Sequence, residues 1–456
     1  MTIRSRLRGS VGDDIARRFM GMAGFSLVLR IAWAVSSYAG VVLLARWLAP
    51  QAYGVFAIVL SLVVPLSIVC AMGLPTAGLR FLGQYQAQGR FDLAKGLTIF
   101  SRTIILRVAI LAMLLLIVSV WVLYGAGRIS DPVAYSLGFL LLPLYTMMGF
   151  QSSLARAHGG IFTALAPRDV LWRALLIPIG YVASWQAYAD QQALVLFIAA
   201  SATLAGLGLI QKQRVAAITP APIQTADTAF DRPAWRKAAL PMWVSASAVA
   251  LAGNVDVLAV GAFLSEADAG RYFLVQRTAA LASFVLVSIN LIIGPEVAKL
   301  YYAGERGKLD RLLGAASVLA LLPSLVALAV FVAAGRWLLG FAGPQASALY
   351  AELMVLGVGQ CINAATGSVG VVLNMIGAER VAAWIRLAFV AVGGAAMAAA
   401  AYFYGTMGAA LAAAATIGGS NLVLALYCRR AFGIDASAFA LIVPPAKEPL
   451  ADSPRD

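Results

Sequence analysis

The stretch 46–56, "RWLAPQAYGVF", is nearly repeated at 262–273, "AFLSEADAGRYF". In each copy a leucine is followed by mostly small or polar residues, then by a glycine and, two residues later, by an aromatic side chain. The two glycines, Gly54 and Gly270, are separated by slightly less than half of the chain of 456 residues. A near copy at this distance indicates an internal repeat.

The composition is that of a membrane protein. Hydrophobic residues make up 62% of the chain and charged residues only 12%, whereas soluble domains are about half apolar and about a quarter charged. The apolar residues also come in blocks of about 20, the length that crosses a hydrocarbon core as a helix. The sequence therefore predicts a polytopic membrane protein.

Twelve apolar segments are predicted to span the membrane, six in each half of the chain. The first six are 23–45, 53–73, 103–124, 133–153, 170–186 and 192–210. The second six are 240–263, 271–293, 312–333, 349–374, 383–403 and 406–427. When the N-terminus is placed in the cytosol, most of the 34 lysines and arginines fall on the cytosolic side, as the positive-inside rule requires. Both termini are thus expected in the cytosol, and the net charge of +14 is no argument for nucleic acid.

Two further matches extend the repeat. The loop "GRFD" at 89–92 is similar to "GKLD" at 307–310. The first and last glycines of "GFQSSLARAHG" (149–159) recur in "GSVGVVLNMIG" (367–377), at the same spacing as the two loops. Because each half holds an even number of spans, the two halves point the same way and form a parallel repeat.

The predicted fold is an all-α membrane protein with twelve transmembrane helices in two parallel-repeat six-helix bundles. The first lobe is expected at 1–215 and the second at 240–430, joined by a cytosolic linker at 216–239 and followed by a cytosolic tail at 431–456. Two such lobes would enclose a central cleft and give alternating access by rocking about it.

Gly54 and Gly270 would stand in the short outward turn between the first two helices of each lobe. Glycine permits a tight start of the second helix because it has no side chain to clash there. Two interpretations remain open: the turns form an outward gate of the cleft, or they are simply tight hairpin turns.

Covalent chemistry finds little support in the sequence. His158 is the single histidine, and Cys70, Cys361 and Cys428 are scattered through apolar segments. This set provides neither a metal site nor a disulfide framework. No outward loop is long enough for a soluble catalytic domain, so neither an enzyme nor a cofactor is expected.

Charged and amide side chains inside the spans are the candidate functional residues, because burying them in a membrane is costly. Asp256 lies deep in a span and is interpreted as half of an ion pair with Arg277 or as an ion-coupling residue. Arg30 and Arg386 either line the cleft or extend their guanidinium groups to the interface. A cleft rich in arginine and poor in acids suits an anionic cargo. The candidate substrate-binding residues are Arg30, Asn254, Arg277, Asn290, Asn363 and Arg386.

Several motifs together resemble a known family. They are "R-x-L-x-x-x-x-Y-G-x-F" at 46–56, "MGLP" at 72–75 followed by Arg80, "G-x-F-D" at 89–92, and "NVDVLAVGAFL" at 254–264. This order of features resembles the O-antigen flippases, the Wzx-type polysaccharide translocases of the multidrug/oligosaccharidyl-lipid/polysaccharide superfamily. The resemblance extends over nearly the whole chain.

The resemblance implies a MATE-like fold in a bacterial inner membrane. It implies a cargo of oligosaccharide linked to undecaprenyl pyrophosphate, moved from the cytoplasmic to the periplasmic leaflet for O-antigen, capsule or exopolysaccharide synthesis. Arginines would hold the pyrophosphate through bidentate, charge-assisted hydrogen bonds. A polysaccharide polymerase and glycosyltransferases would be further partners.

Two other functions remain open. A MATE-like multidrug exporter coupled to a cation would share the topology but would usually need a buried acid in the first lobe, where the sequence has none. A membrane subunit that only scaffolds polysaccharide enzymes would have no transport activity.

Overall fold

The computed structural model describes residues 31–438, and this part of the chain is helical without any β-strand. Helices prevail because a backbone inside lipid must satisfy its own hydrogen bonds. A π-helix at Ala166–Leu171 joins α7 to α8. The α-helices are, in chain order, α1 (Ile31–Trp47), α2 (Pro50–Cys70), α3 (Leu74–Ala87), α4 (Phe91–Gly125), α5 (Pro132–Phe139), α6 (Leu141–Ala157), α7 (Ile161–Leu165), α8 (Trp172–Ala183), α9 (Gln192–Ile218), α10 (Ala221–Thr225), α11 (Arg232–Ala252), α12 (Val255–Phe263), α13 (Glu266–Ala280), α14 (Phe284–Tyr302), α15 (Arg306–Gly340), α16 (Pro344–Ser347), α17 (Tyr350–Ala365), α18 (Val369–Met375) and α19 (Glu379–Phe432).

Eight stretches of helix in the described chain are long and apolar enough to cross a membrane. They are Pro50–Ala87, Phe91–Gly125, Pro132–Ala157, Gln192–Ile218, Glu266–Asn290, Arg306–Gly340, Tyr350–Met375 and Glu379–Phe432. A ninth is formed by α11 and α12 if they count as one span, bent by 50°. The protein is therefore a polytopic membrane protein, while the number of twelve spans stays a prediction.

The longest helix, α19, contains a break. Its 54 residues would measure about 80 Å at ~1.5 Å per residue, far more than the ~30 Å hydrocarbon core. At Gly405 the backbone leaves the helical region, with φ 64° and ψ −149°, a conformation that favours glycine. The break lies between the eleventh and twelfth predicted spans.

The long helices α4 and α15 show apolar side chains on their outer faces. On α4, Leu115 and Val118 are each 60% exposed and Val122 is 66% exposed; on α15, Val326 is 64% exposed. In water such contiguous apolar surface would be unfavourable. These faces therefore contact lipid, in agreement with the composition.

The described chain forms two compact units. The first contains 31–43 and 70–240, and the second contains 44–69 and 241–438. The segment 44–69 belongs to the second unit because α2 packs on its helices; Tyr53 meets Phe273 edge to face with ring centroids 6.5 Å apart. The lobe boundaries that we predict from the sequence stay a prediction.

The segment between the sequence halves is packed on the first unit. Trp235 is fully buried there, and its Nε1 donates to Tyr85 Oη at 2.9 Å. Lys95 Nζ donates to the carbonyl oxygens of Gln224 and Ala226 at 3.0 and 2.7 Å. The predicted linker is therefore anchored to α3 and α4 by its own side chains and backbone.

The turns that end α6 and α18 occupy matching places in the predicted repeat and have the same geometry. Gly159 and Gly377 have φ of 78° and 85°, and the next residue donates its N–H five residues back in both cases. These bonds run from Gly160 N to Ala155 O (2.8 Å) and from Ala378 N to Leu373 O (2.9 Å). This is the Schellman pattern at helix C-termini, so the match between 159 and 377 holds in local structure.

The match between "GRFD" and "GKLD" is wrong by three residues. The turn before α4 has Gly89 at φ 68°, and the equivalent turn before α15 has Gly304 at φ 72°. The matched letters instead pair Gly89 with Gly307, which lies three positions further along the chain. A shift of three residues is close to one helical turn, so the shifted residues lie on nearly the same helix face. Sequence similarity alone therefore does not detect the error in the alignment.

Candidate functional site

The two repeated turns lie against each other within the second unit. A Cβ added to Gly270 would lie 3.0 Å from the Cα of Gly54 and 2.9 Å from Tyr53 Cδ1. A Cβ added to Gly54 would overlap the backbone carbonyl of Glu266. Both glycines are thus required for the close approach of α2 and α13. The contact is compatible with both interpretations of these turns, an outward gate of the cleft and a simple tight hairpin turn.

Asp256 lies in the first turn of α12 and is 4% exposed. Its carboxylate accepts hydrogen bonds from Gln276 Nε2 at 2.8 and 3.0 Å, from Tyr272 Oη at 3.2 Å and from the backbone N–H of Val257 at 2.9 Å. Such charge-assisted bonds are stronger than neutral ones and offset part of the cost of burying the acid.

Arg277 is held on the same pair of helices by different groups. Its Nη2 donates to Asn254 Oδ1 at 3.0 Å, and its guanidinium lies 4.7 Å from the centroid of the Phe273 ring. A cation over an aromatic face is stabilised by the ring quadrupole. The structure therefore brings three predicted residues together, with Asn254 as a hydrogen-bond partner of Arg277 and Asp256 bonded to Tyr272 and Gln276.

Arg386 lies about two turns into α19. Its guanidinium rests on Gly370 of α18, where an added Cβ would overlap Nη2. Within residues 31–438 the side chain of Arg386 has no hydrogen bond, ion pair or ring contact. Gly370 therefore makes room for a guanidinium that is not neutralised by the described chain.

Amide side chains lie on α17 and α19 of the second unit. Asn421 Nδ2 donates to Asn363 Oδ1 at 2.8 Å, and Asn363 Nδ2 lies 3.4 Å from Gln360 Oε1. Asn290 on α14 has a buried Oδ1 without a hydrogen-bond partner among the described residues. The predicted Asn363 is thus part of a bonded group of amides, whereas Asn290 has an unused acceptor.

The first unit contains a half-buried arginine that the sequence analysis did not select as a site residue. Arg173 on α8 donates to Ser37 Oγ at 2.8 Å and to Tyr145 Oη at 3.5 Å, and it lies 5.6 Å from the centroid of the Trp33 ring. Its buried Nε has no partner in the described chain. Its position in the fifth predicted span is the signal that selected Arg277 and could have selected it too.

The residues before Arg173 form the π-helix, a feature frequent at functional sites. In this segment Arg168 bonds to Asp169 at 3.0 Å and lies 5.2 Å from the centroid of the Tyr145 ring. Tyr145 therefore contacts both arginines. Of the two, only Arg168 has an acidic partner in the described part of the first unit.

Glu352 is a second buried acid that the sequence analysis missed. It lies in the first turn of α17, is 8% exposed, and accepts a hydrogen bond from Thr406 Oγ1 at 2.7 Å. It lies only three residues inside the predicted span 349–374, so the sequence alone does not show that it is buried. No group of His, Cys, Asp and Glu able to hold a metal ion occurs among residues 31–438, and the predicted Arg30 lies outside the described residues.

Sequence comparison and structure comparison give different results. No family model and no curated protein matches the sequence. The fold, in contrast, is that of membrane transporters. An inward-facing multidrug resistance MATE family transporter of the MOP superfamily superposes with a TM-score of 0.74 at 12% identity, covering 87% of this chain and 94% of the other.

Two further solved structures have the same fold. The lipid II flippase MurJ, in an inward closed conformation, has a TM-score of 0.67 at 11% identity and covers 88% of this chain and 87% of its own. A MATE transporter in a bent conformation has a TM-score of 0.60 at 13% identity, covering 89% and 94%. The predicted MATE-like fold is confirmed.

Proposed function

We propose that the protein is a flippase for oligosaccharide linked to undecaprenyl pyrophosphate. It would move this lipid from the cytoplasmic to the periplasmic leaflet of a bacterial inner membrane during O-antigen, capsule or exopolysaccharide synthesis. The fold likeness to a lipid II flippase and to MATE transporters supports membrane transport in general. The choice of an anionic cargo rests on the arginines.

The observation that carries this choice is the setting of Arg173 and Arg386. Both guanidinium groups are on helices of a membrane protein, and in the described chain neither has a carboxylate partner. An unneutralised charge at such a place is costly and is retained where it binds a charged ligand. A pyrophosphate presents several oxygens to the planar guanidinium fork, which binds phosphate in bidentate geometry.

A cation-coupled multidrug exporter is the second candidate, and Asp256 is the observation that favours it. This acid is buried and hydrogen-bonded to neutral side chains. A carboxylate in such a place can take up and release a proton or cation during transport. The two candidates differ in which substitution stops transport.

The deciding experiment is complementation of a deletion strain, with lipid-linked glycan measured in each leaflet. The flippase proposal expects glycan to accumulate on the cytoplasmic side without the gene. Arg386→Ala and Arg173→Gln should fail to restore export at normal membrane levels, while Arg380→Ala, an exposed change on the same helix as Arg386, should restore it. Export restored by all three variants would contradict the proposal. Normal glycan export in the deletion strain, together with a drug resistance that the wild type restores and Asp256→Asn does not, would favour the exporter.

Transport by the purified protein separates a flippase from a scaffold subunit. In liposomes, a flippase should make a fluorescent polyprenyl-pyrophosphate oligosaccharide accessible to an external quencher. A scaffold would leave this accessibility unchanged, although its deletion could still disturb glycan synthesis in cells through a polymerase or glycosyltransferase.

A further inference from the structure

The first unit contains a cavity of about 270 Å³ that is separate from the arginines discussed above. It lies between α4, α6 and α9 and is bordered by α10. Its volume is near the lower end of ligand pockets, which begin at about 300 Å³. This size suits the head group of a lipid or another small polar group with a short apolar extension.

One side of the cavity is basic. Lys95, Arg102 and Lys212 line it, and none of the described lining residues is acidic. Arg102 and Lys212 are exposed and have no ion pair among residues 31–438. The single acid of α4, Asp92, bonds to Arg90 at 3.1 Å, so it does not neutralise these cations.

The rest of the cavity wall is apolar, with one exception. Ile99, Phe150, Leu154 and Val215 contribute apolar surface. The exception is Gln151, whose buried Oε1 has no hydrogen-bond partner in the described chain. A buried acceptor without a partner costs free energy unless a ligand or water donates to it. The lining therefore fits an amphipathic anion that also carries a hydroxyl group.

The positions of the second sequence half that correspond to the cavity lining are covered by another segment of the polypeptide. In the register of the helix-start turns, Arg102 corresponds to Ser317, whose Oγ donates to Ala436 O at 2.6 Å. In the register of the helix-end turns, Gln151 and His158 correspond to Val369 and Ile376, which are 0% and 8% exposed.

The segment that occupies this place follows α19. Its residues Ile434 and Ala436 are 1% and 2% exposed and belong to one apolar cluster with Val369 and Ile376. A repeat that needed only stable packing would be closed in both halves. The first half instead has charged and amide side chains around an open cavity, which indicates a ligand.

We infer that this cavity binds the head group of an anionic phospholipid from the cytoplasmic leaflet. Lys95 and Arg102 lie about one and about three turns into α4, which begins on the side that the sequence predicts to be cytosolic. This is the level of the head groups. Basic pockets between transmembrane helices on that side bind anionic head groups, and the apolar wall would receive the first methylenes of an acyl chain.

Native mass spectrometry of the full-length protein with added phosphatidylglycerol tests this inference. The wild-type protein should retain phosphatidylglycerol, and the double variant Arg102→Gln/Lys212→Gln should bind it roughly ten- to thirty-fold more weakly, because two basic contacts are lost. Ala216→Phe, which fills the cavity without changing charge, should weaken binding as well. The matched control Lys237→Gln/Arg311→Gln removes two exposed charges elsewhere and should bind as the wild type does.

Four results would overturn the inference. Equal affinity of the wild type and the double variant would show that the cavity is not the site. An equal loss in the control variant would show binding by diffuse surface charge. Displacement of phosphatidylglycerol by glycerol 1-phosphate at equal concentration would show that the ligand is a soluble anion. Equally strong retention of phosphatidylcholine with the same acyl chains would show that the ligand is an uncharged lipid. None of these measurements depends on transport activity.

Discussion

Gly270 meets Gly54, its counterpart in the repeat, so closely that a Cβ on Gly270 would lie 3.0 Å from the Cα of Gly54. Two helix starts with similar sequences thus cross where neither has a side chain. The crossing explains why both copies keep a glycine at this position. It also makes the position sensitive to a single methyl group.

Gly54→Ala should destabilise the protein, because its Cβ would overlap the carbonyl of Glu266 and the backbone would have to move. Overpacking of this kind costs about 1–3 kcal/mol, and a thermal melt in detergent would measure it. Gly206→Ala is the matched control: it lies in α9 with nothing within 4 Å of its added Cβ, so it should leave the melting temperature unchanged or raise it. A Gly54→Ala variant as stable as the wild type would contradict the crossing.

Tyr272→Phe should lower the free energy of unfolding by about 1.5–3 kcal/mol, because hydrogen bonds to charged groups contribute this amount. It removes the bond from Tyr272 Oη to Asp256 at 3.2 Å and keeps the ring. Tyr402→Phe, at a residue 65% exposed, is the control and should have no effect. The double variant Tyr272→Phe/Asp256→Asn should cost less than the sum of the single changes; strict additivity would argue against the bond.

Gly370→Ala should impair transport by displacing the guanidinium of Arg386, since the added Cβ overlaps Nη2. Arg386→Lys should retain only part of the activity, because an ammonium cannot form the bidentate contact. Both variants should reach normal membrane levels, which immunoblotting would check. If Gly370→Ala transports normally while Arg386→Ala does not, the position that we assign to the guanidinium is wrong.

Cysteine labelling tests the predicted orientation. Single cysteines at Ala126, Ala189 and Tyr404 should react with an impermeant reagent from the periplasm, and cysteines at Gln88 and Thr225 should not. We choose Ala126 and Tyr404 because the glycines next to them, Gly127 and Gly405, have a positive φ that disfavours any side chain, including that of cysteine. The buried native cysteines are first replaced by alanine. Labelling of Thr225 from outside would invert the topology of the first unit.

Acid should destabilise the protein in part through His158, just beyond the end of α6. Burial lowers the pKa of His158 below its ordinary value of 6.5, so the unfolded chain binds the proton more readily than the folded one. Stability should therefore decrease as the pH falls through 6.5 and below. Melting temperatures between pH 7.5 and 5.5 should depend less on pH in His158→Asn; an unchanged slope would assign the effect to other groups.

The sequence predicted those features that depend on local chain properties. Apolar blocks predicted membrane helices because their length matches the bilayer, and Gly159 and Gly377 marked helix ends because glycine accepts the positive φ required there. The loop match around Asp92 and Asp310 was off by three residues, since letters alone do not resolve a shift of about one helical turn.

Features that depend on packing between distant segments could not be predicted. The contact between Gly370 and Arg386 joins two helices, and the sequence of neither helix alone predicts it. The bonding of Asp256 to Gln276 and Tyr272 was also hidden, because the sequence does not show which neutral side chains lie next to the carboxylate. The buried position of Glu352 required knowledge of what covers the outer end of α17.

The crossing of Gly54 and Gly270 has one more consequence. In a two-fold interface between identical molecules, a residue near the axis meets its own copy on the other molecule. The contact between these glycines is of this kind, although both belong to a single polypeptide. A residue that meets its own copy is constrained by it, so neither copy of the turn can gain a side chain at this position unless the other moves away. If the two stretches arose by duplication, as the predicted repeat implies, each copy restricts the divergence of the other at the point where they touch.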